Sequence, residues 1–465
     1  MNTIRQHLLA LGLACLGFSL TAVSAYAATD SLIWRTNVNR ADADIRSWSL
    51  DTVLRQIAAR TGWRVSVEPD TQQTVSVRFK DLPSGEALRR LLNNLNFALL
   101  RQSNAPPHLL VFRTSMQEAT QLVSPAPADS AARPLARRIP NELIVTLKPG
   151  ADIEALARSL GAKVLGRIPG LNAYRLGFDD SAAADLARRA LQEAPDVASV
   201  DNNYAFDRPV GAREVLSTSL PPLQLKARTA SGDGRVIVGL IDTAVHRLDG
   251  GLNEFLLPGL SAVGESSSPG DGLTHGGAMA ETLLRGVQVA AGGQSGVRVL
   301  PVDVYGPSGS TTTFQVAGGV YQAVNNGGAT ILNLSLGSDG DSPFLHDLLQ
   351  SASRQGVLVF AAAGNTPTTA PTYPAAYPEV IAVTAGDRTG QIAPYANRGD
   401  FVDLVAPGVS IVYFNGQPFY VSGTSAATAF ATGLAAGLTD GSSKKAADIE
   451  AALKAMLGAK APPKP

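Results

Sequence analysis

Four side chains in the C-terminal half carry the functional groups of an acyl-transfer site, and each also has an ordinary structural reading. Ser425 stands in "SGTSAATAF", a glycine turn followed by a helix start of small residues. Its hydroxyl can be a helix N-cap. It can equally be a nucleophile whose transition state is stabilised by backbone N–H groups and the positive helix end. His275, in "LTHGGAMAETLLRG", is followed by small residues that let another backbone pack close to the imidazole. A lone histidine before a helix is otherwise a cap or a surface residue. Asp242 closes the strand "VIVGLI", which puts its carboxylate, partly buried, at the C-terminal edge of a sheet. The commoner fate of a strand-end Asp is a turn bond to its own backbone. Asn365 ends "VLVFAAAGN"; there its NH2 can face a developing oxyanion, or the Gly-Asn pair can simply close a turn. His246 lies close to Asp242 but follows the same strand, and reads as a surface residue.

The elements that must position these groups are legible from about Gly211 onward. Unbroken apolar runs ("VIVGLI", "VRVLPVDV", "ATILNLSLG", "VLVFAAAG", "VIAVTAG", "FVDLVAPG") alternate with helical patterns such as "FQVAGGVYQAVNNG" and "FLHDLLQSASRQG". Apolar strands without alternation predict a parallel sheet covered on both faces. Strand and helix in alternation predict a doubly wound α/β domain, with its site at the C-terminal edge of the sheet. That domain is assigned to 211–447, and 448–465 is a tail whose end, "GAKAPPKP", reads as disordered.

Two small α+β modules, both βαββαβ-like, precede it. Residues 31–113 place Leu50, Val53, Leu54 and Ile57 on one face of a helix that Gly62 can end. Strands "WRVSV" and "VSVRF", a second helix over "SGEALRRLLNNLNF" and a strand "HLLVFR" follow. Residues 114–138, rich in Pro, Ala and Ser, read as a linker. Residues 139–207 then give strand, helix, strand, helix, strand through "ELIVTLKPGA", "DIEALARSLGA", "GLNAYRLGF", "AADLARRALQEAP" and "VASVDNNY".

Taken together, the four candidates stand in an order that each lacks alone. Asp242 precedes His275 by 33 residues, His275 precedes Ser425 by 150, and Asn365 lies between. Asp, then His, then Ser is the subtilisin-type order. "VGLIDTAV", "THGGAMA", "AAAGN" and "SGTSAATA" resemble the Asp, His, oxyanion-Asn and Ser motifs of the subtilase family over the last 250 or so residues. The resemblance implies a subtilisin-like peptidase in which Ser425 attacks, His275 carries the proton, and Asp242 holds the imidazole. Asn365 and the Ser425 N–H would bind the oxyanion. "NLSLG" resembles the family's substrate-aligning strand, which makes Ser335, Leu336 and Gly337 the substrate-binding residues. The motifs also depart from the family pattern: Ala244 for Gly, Gly277 for Thr, Ala426 for Met, Ala429 for Pro, and Phe430 where His is frequent. None of these removes a catalytic group; they bear on the fit of the loops and on rate.

"LIVTLKPGA", "LGAKVLGRIPGLNAYRL" and "VASVDNNY" resemble the inhibitor-type propeptide of subtilases. This implies a folding aid and temporary inhibitor, removed by self-cleavage between about Tyr204 and Leu223. "LRQIAARTGWRVSV" and "ALRRLLNNLNFAL" resemble the short N-terminal domain of secretins and TonB-dependent receptors, a module that contacts envelope proteins.

Composition narrows the setting. The chain has 465 residues, enough for two to four domains, and 45% hydrophobic residues for a core. Lys+Arg and Asp+Glu are both 39, so nothing suggests a nucleic-acid partner. A basic lead, an apolar run and "AYA" at Ala25–Ala27 read as a signal peptide over 1–27, in preference to an uncleaved anchor or a lipid site at Cys15. Cys15, the one cysteine, leaves with it, so the mature chain has no disulfide, thiol nucleophile or cysteine metal site. Later runs are too short to span a bilayer. The expectation is an exported, periplasmic or secreted endopeptidase without a cofactor, structural calcium being left open. Its partners would be a protein or peptide substrate, its own propeptide, and an envelope protein at residues 31–113. The competing expectation is a catalytically weak adaptor working through that N-terminal module.

Overall fold

The computed structural model describes residues 31–36, 39–69, 71–100, 106–115, 121–123, 137–209, 211–214, 221–228, 236–264, 272–387, 390–442 and 444–458. The signal-peptide stretch and most of the stretch read as a linker lie outside them. The chain divides into two compact units, Met1–Pro134 and Leu135–Pro465.

In the first unit, two helices pack with two small sheets. The helix Leu50–Thr61 forms where its apolar spacing predicts: Ser49 caps it by accepting from the Thr52 amide, Val53, Leu54 and Ile57 are buried, and Gly62 ends it at φ 71. The second helix runs only from Ser84 to Leu92, not to Phe97 as its pattern predicts. Asn93 takes a positive φ of 41, which breaks the helix. Asn96–Leu100 then forms a strand antiparallel to His108–Phe112. A further strand, Gln121–Val123, pairs antiparallel with Arg64–Val67. Part of the stretch read as a linker is therefore structured, because Val123 can be buried against the helix-backed sheet.

The second unit opens with a small α+β domain: β1 (Arg138–Leu147), α1 (Ile153–Ser159), β2 (Lys163–Ile168), β3 (Ala173–Gly177), α2 (Ser181–Glu193) and β4 (Val197–Asp207). This is the predicted βαββαβ order, with β2 supplying the strand that the quoted sequence runs did not include. Asp152 and Asp180 cap the two helices. Inward residues such as Leu143, Val145, Leu176, Ala184 and Leu191 form a core between helices and sheet.

The rest is the predicted doubly wound domain. Its elements are β5 (Ile237–Asp242), β6 (Leu260–Ser261), α3 (His275–Ala291), β7 (Arg298–Asp303), β8 (Ser310–Thr312), α4 (Thr313–Tyr321), β9 (Ile331–Leu334), α5 (Pro343–Arg354), β10 (Leu358–Ala362), β11 (Val380–Gly386), β12 (Leu404–Pro407), the hairpin β13 (Val409–Phe414) and β14 (Gln417–Ser422), α6 (Thr424–Thr439) and α7 (Ala446–Leu457). The central sheet has the order β6-β7-β5-β9-β10-β11-β12. Every pair in it is parallel. Side chains alternate across β5: Val238 and Leu240 join a core with α3 and α6, and Ile241 joins the core on the opposite face with α4 and α5. Both faces are covered, which is why the strands read as unbroken apolar runs.

Helices α3 and α6 touch backbone to backbone. A Cβ on Gly433 would lie 1.8 Å from the Leu283 carbonyl oxygen, and one on Gly286 would lie 2.2 Å from that of Phe430. Only glycine permits such an approach, and it fixes the two helix starts relative to each other. The C-terminal stretch corrects its prediction. Instead of a tail from 448, α7 buries Ile449 and Leu453 against the same core.

Candidate active site

The chain order of the sheet reverses around β5: β7 follows on one side and β9 on the other. A crevice opens at the strand C-termini at such a point, and the candidate residues are built around it. Asp242, the last residue of β5, is 1% exposed. His275, the first residue of α3, is 8% exposed. His275 Nδ1 lies 2.8 Å from Asp242 Oδ1 and 3.0 Å from Oδ2. A carboxylate only accepts, so Nδ1 carries the proton and donates it, leaving Nε2 as the basic nitrogen. Asp242 also accepts from the Thr243 amide at 2.7 Å. Asp242 thus makes the local turn bond of its structural reading and holds the imidazole as well.

The two glycines after His275 bring the helix start against the segment that follows β5. Gly276 N–H donates to Thr243 Oγ1 at 2.8 Å, and a Cβ there would fall 2.2 Å from the Thr243 carbonyl oxygen. Gly277 faces His246. That histidine is not on the surface, as its sequence position suggests, but 5% exposed. The segment after Asp242 sets it against the start of α3, a closure that no pattern in the sequence reports.

Ser425 is the second residue of α6, not its cap. The N-cap is Gly423, at φ 139, which has no side chain to offer. The capping is done from elsewhere. Asn365 Oδ1 accepts from the Thr424 amide at 2.8 Å, and Thr424 Oγ1 accepts from the Gly364 amide at 3.1 Å. Because the Thr424 amide can only donate, the oxygen of Asn365 faces it and the NH2 faces away. Asn365 itself is exposed. The Ser425 amide lies in the first turn, where a helix supplies no carbonyl partner. Ser425 Oγ donates to the Ser335 carbonyl oxygen at 3.3 Å. Among the described residues no hydrogen bond joins it to His275. Catalytic hydrogen bonds of this kind often tighten only when substrate binds.

The substrate-strand candidates follow β9. Ser335 and Leu336 are buried, and Gly337 is exposed. Ser335 Oγ donates to the Ser425 carbonyl oxygen at 3.2 Å and accepts from Asn333 Nδ2 at 2.9 Å. Asn333 Oδ1 in turn accepts from Thr432 Oγ1 at 3.0 Å. This buried chain ties α6 to β9; Asn333 belongs to the "NLSLG" stretch, but Thr432 is not singled out by the sequence.

The small domain ahead of the peptidase sends β4 into the same region. Ala205, Phe206 and Asp207 pair antiparallel with Thr312, Thr311 and Ser310 of β8, and the Arg208 amide donates to the Gly309 carbonyl at 2.9 Å. Asn203 accepts from the Phe314 amide at the start of α4, and the Tyr204 ring covers Gly340. Farther on, Arg213 and Glu214 pair antiparallel with Tyr420 and Phe419 of β14, the strand that runs into Gly423. The chain is therefore held on both sides of the segment between Arg208 and Arg213.

Comparison with known proteins agrees with this architecture. A family profile described as "Subtilase family" matches residues 233–461. One described as "Fervidolysin N-terminal prodomain" matches 124–203, reaching into the stretch read as a linker. Minor extracellular protease Epr of Bacillus subtilis (strain 168) is 32% identical over 261 residues, 52% of this chain and 40% of Epr. Subtilisin Savinase of Lederbergia lenta is 36% identical over 205 residues, 43% of this chain and 74% of that protein. The crystal structure of fervidolysin from Fervidobacterium pennivorans aligns with a TM-score of 0.49 at 20% identity, covering 66% of this chain and 55% of that one. With the profile over its doubly wound domain and a relative matched across 74% of its length, the chain belongs to the subtilase family of serine proteases.

Proposed function

We propose that this chain is an exported serine endopeptidase, made as a zymogen, that hydrolyses peptide bonds with Ser425, His275 and Asp242. The observation that carries the reading is the buried Asp242–His275 pair at 2.8 Å, set at the same sheet edge as the start of α6, which Asn365 caps in place of Gly423. Ser425 Oγ attacks the scissile carbonyl while His275 Nε2 takes its proton. The tetrahedral oxyanion is held by the Asn365 NH2 and the Ser425 amide. His275 then protonates the leaving amine, and Asp242 stabilises the imidazolium throughout. Water resolves the acyl-enzyme by the same steps in reverse roles. The residues after β9, Ser335 to Gly337, align the substrate by backbone pairing, so recognition is partly independent of sequence. These steps use side chains and backbone groups of this chain together with water, and assign no role to a metal.

The prodomain reading is supported by β4, which enters the site region as an added strand. The first bond cut lies between Arg208 and Arg213, the stretch anchored at both ends. Export is supported by the N-terminal sequence, a basic lead, an apolar run and "AYA" at Ala25–Ala27. The N-terminal unit serves as a docking module for an envelope protein. A pull-down with the full chain against one lacking residues 31–113 tests that part, and equal recovery of envelope proteins would refute it.

The main reading is tested with Ser425→Ala. The parent chain should shorten to a species beginning between Arg208 and Arg213, and the variant should stay full length. After prodomain removal a fluorophosphonate probe should label Ser425. Identical processing of both chains would reject self-cleavage. Absence of labelling would favour the inactive adaptor instead.

A further inference from the structure

Resting on the assignment of His275 as the base, we propose that His246 is a positioning residue, a wedge that sets the start of α3 and so the direction of the His275 ring. Three elements meet on its imidazole. The first is its own segment, which descends directly from Asp242. The second is the start of α3: His246 Nδ1 lies 3.1 Å from Thr274 Oγ1 and 3.5 Å from the Thr274 amide. Thr274 is the N-cap of that helix, and its hydroxyl accepts from the Gly277 amide at 3.1 Å. The third is the β13–β14 hairpin, whose Phe414 meets the imidazole edge-on with ring centres 4.5 Å apart. That hairpin leads into Gly423 and Ser425.

The fit leaves no slack. A Cβ on Gly277 would lie 1.9 Å from His246 Cε1 and 2.1 Å from Nδ1. Residue 277 must be glycine because the imidazole occupies the side-chain space, two residues from His275. Nδ1 faces the Thr274 amide, which can only donate, so Nδ1 accepts and Nε2 carries the proton. Nε2 is buried and has no hydrogen-bond partner among the described residues. A ring held by one nitrogen, with the other unpartnered, is retained at a cost in desolvation. That cost is understandable if the ring's shape and its bond to the cap are what the site requires. Burial also keeps the ring neutral, pushing its pKa down against the opposing pull of Asp249. The other titratable groups on the elements around it are Asp242, Arg247 and Asp249 on its own segment and, on α3, His275, Glu281 and Arg285. The hairpin residues 409–422 include no Asp, Glu, Lys, Arg or His.

The wedge predicts a coupling that bulk destabilisation does not. In the full chain, Gly277→Ala should lower kcat/KM by about 100-fold, the scale of a 1 Å misplacement near a catalytic group. The loss should fall on kcat, with KM little changed. His246→Ala alone should cost less, and Gly277→Ala made in that background should add little, because the new methyl enters the vacated space. His246→Phe keeps the bulk but not the bond to Thr274, and separates the two contributions. Unfolding midpoints for each variant identify any that fails to fold. The low-field proton resonance of His275 Nδ1–H, bonded to Asp242, reads the same geometry without activity. It should weaken or shift in Gly277→Ala and return in the double variant. Equal losses from Gly277→Ala in both backgrounds, or none in either, would overturn the wedge. A parent enzyme without peptidase activity whose Nδ1 resonance still shows the coupling would leave the wedge standing and reject the catalytic reading.

Discussion

The two helices that start at the site are stabilised in opposite ways. Helix α3, which carries His275, is closed by its own chain. Thr274 caps it with a side chain, Thr243 takes the Gly276 amide, and Asp242 takes the imidazole. Helix α6, which carries Ser425, begins at a glycine with no side-chain cap. Its first amide is taken by Asn365, 59 residues earlier in the chain. The difference follows from what each end must do. A base needs one fixed tautomer, so its surroundings are saturated with bonds and nearly excluded from water. An oxyanion site needs donors free to meet a charge that exists only in the transition state. A conventional Ser or Asp cap at 423 would occupy the amides at that helix end. Supplying the acceptor from Asn365 satisfies the Thr424 amide and turns the NH2 of the same side chain outward.

Substitutions on each side can break or sharpen this contrast. The largest effect should come from Asp242→Asn. An amide can present a donor as readily as an acceptor to His275 Nδ1, so the imidazole loses its tautomer, and kcat should fall by about 10⁴-fold. A loss below tenfold in peptide hydrolysis would mean that the closed pair is not the base. Next is Asn365→Asp, which keeps an acceptor for the Thr424 amide and deletes the outward donor. It should lower kcat by about 10²–10³-fold with KM little changed. Its unfolding midpoint in urea should stay near that of the parent, whereas Asn365→Ala should lose roughly 1 kcal/mol more stability through the lost cap. If Asp restores activity, the NH2 has no part in catalysis.

The smallest effect lies where the two helix starts are coupled. Glu281, on α3, is buried and accepts from the Tyr413 amide of the hairpin at 2.7 Å and from Arg285 at 3.0 Å. Burial outweighs both bonds and raises its pKa from 4.5 to about 7. The folded chain then holds a proton that the unfolded chain releases above about 4.5. Its contribution to stability is full below that pH and declines as pH rises to about 7, by about 3 kcal/mol in total. Urea unfolding at pH 5 and pH 8 should show this decline in the parent and a flatter profile in Glu281→Gln. Parallel profiles for the two proteins would remove Glu281 from the coupling.

The sequence carried much of the fold. Unbroken apolar strands alternating with helices announced the parallel sheet, because burial on both faces removes polar alternation. The first helix of the N-terminal unit was legible from its apolar face, Leu50 to Ile57, and from its end at Gly62, since apolar spacing and a glycine stop are local properties. The second was overextended, because Leu95 and Phe97 suit a helix face as well as a strand, and only pairing with His108–Phe112 decides between them. The C-terminal helix α7 was missed for a related reason: two buried residues, Ile449 and Leu453, hold it to a core that no local pattern displays.

For the site, the sequence by itself determined which functional groups are present, their order along the chain, and that strand-end positions would gather them at one edge. The tertiary structure alone decided which atoms meet. It turned the two oxygens of Asp242 onto His275 Nδ1, made Asn365 the distant cap of α6, and rested Ser425 Oγ on Ser335. It also buried His246 in the space that Gly277 leaves open. The physical reason is that residue type and period act within a few residues of the chain. Hydrogen-bond direction and steric exclusion act between residues that only folding makes neighbours.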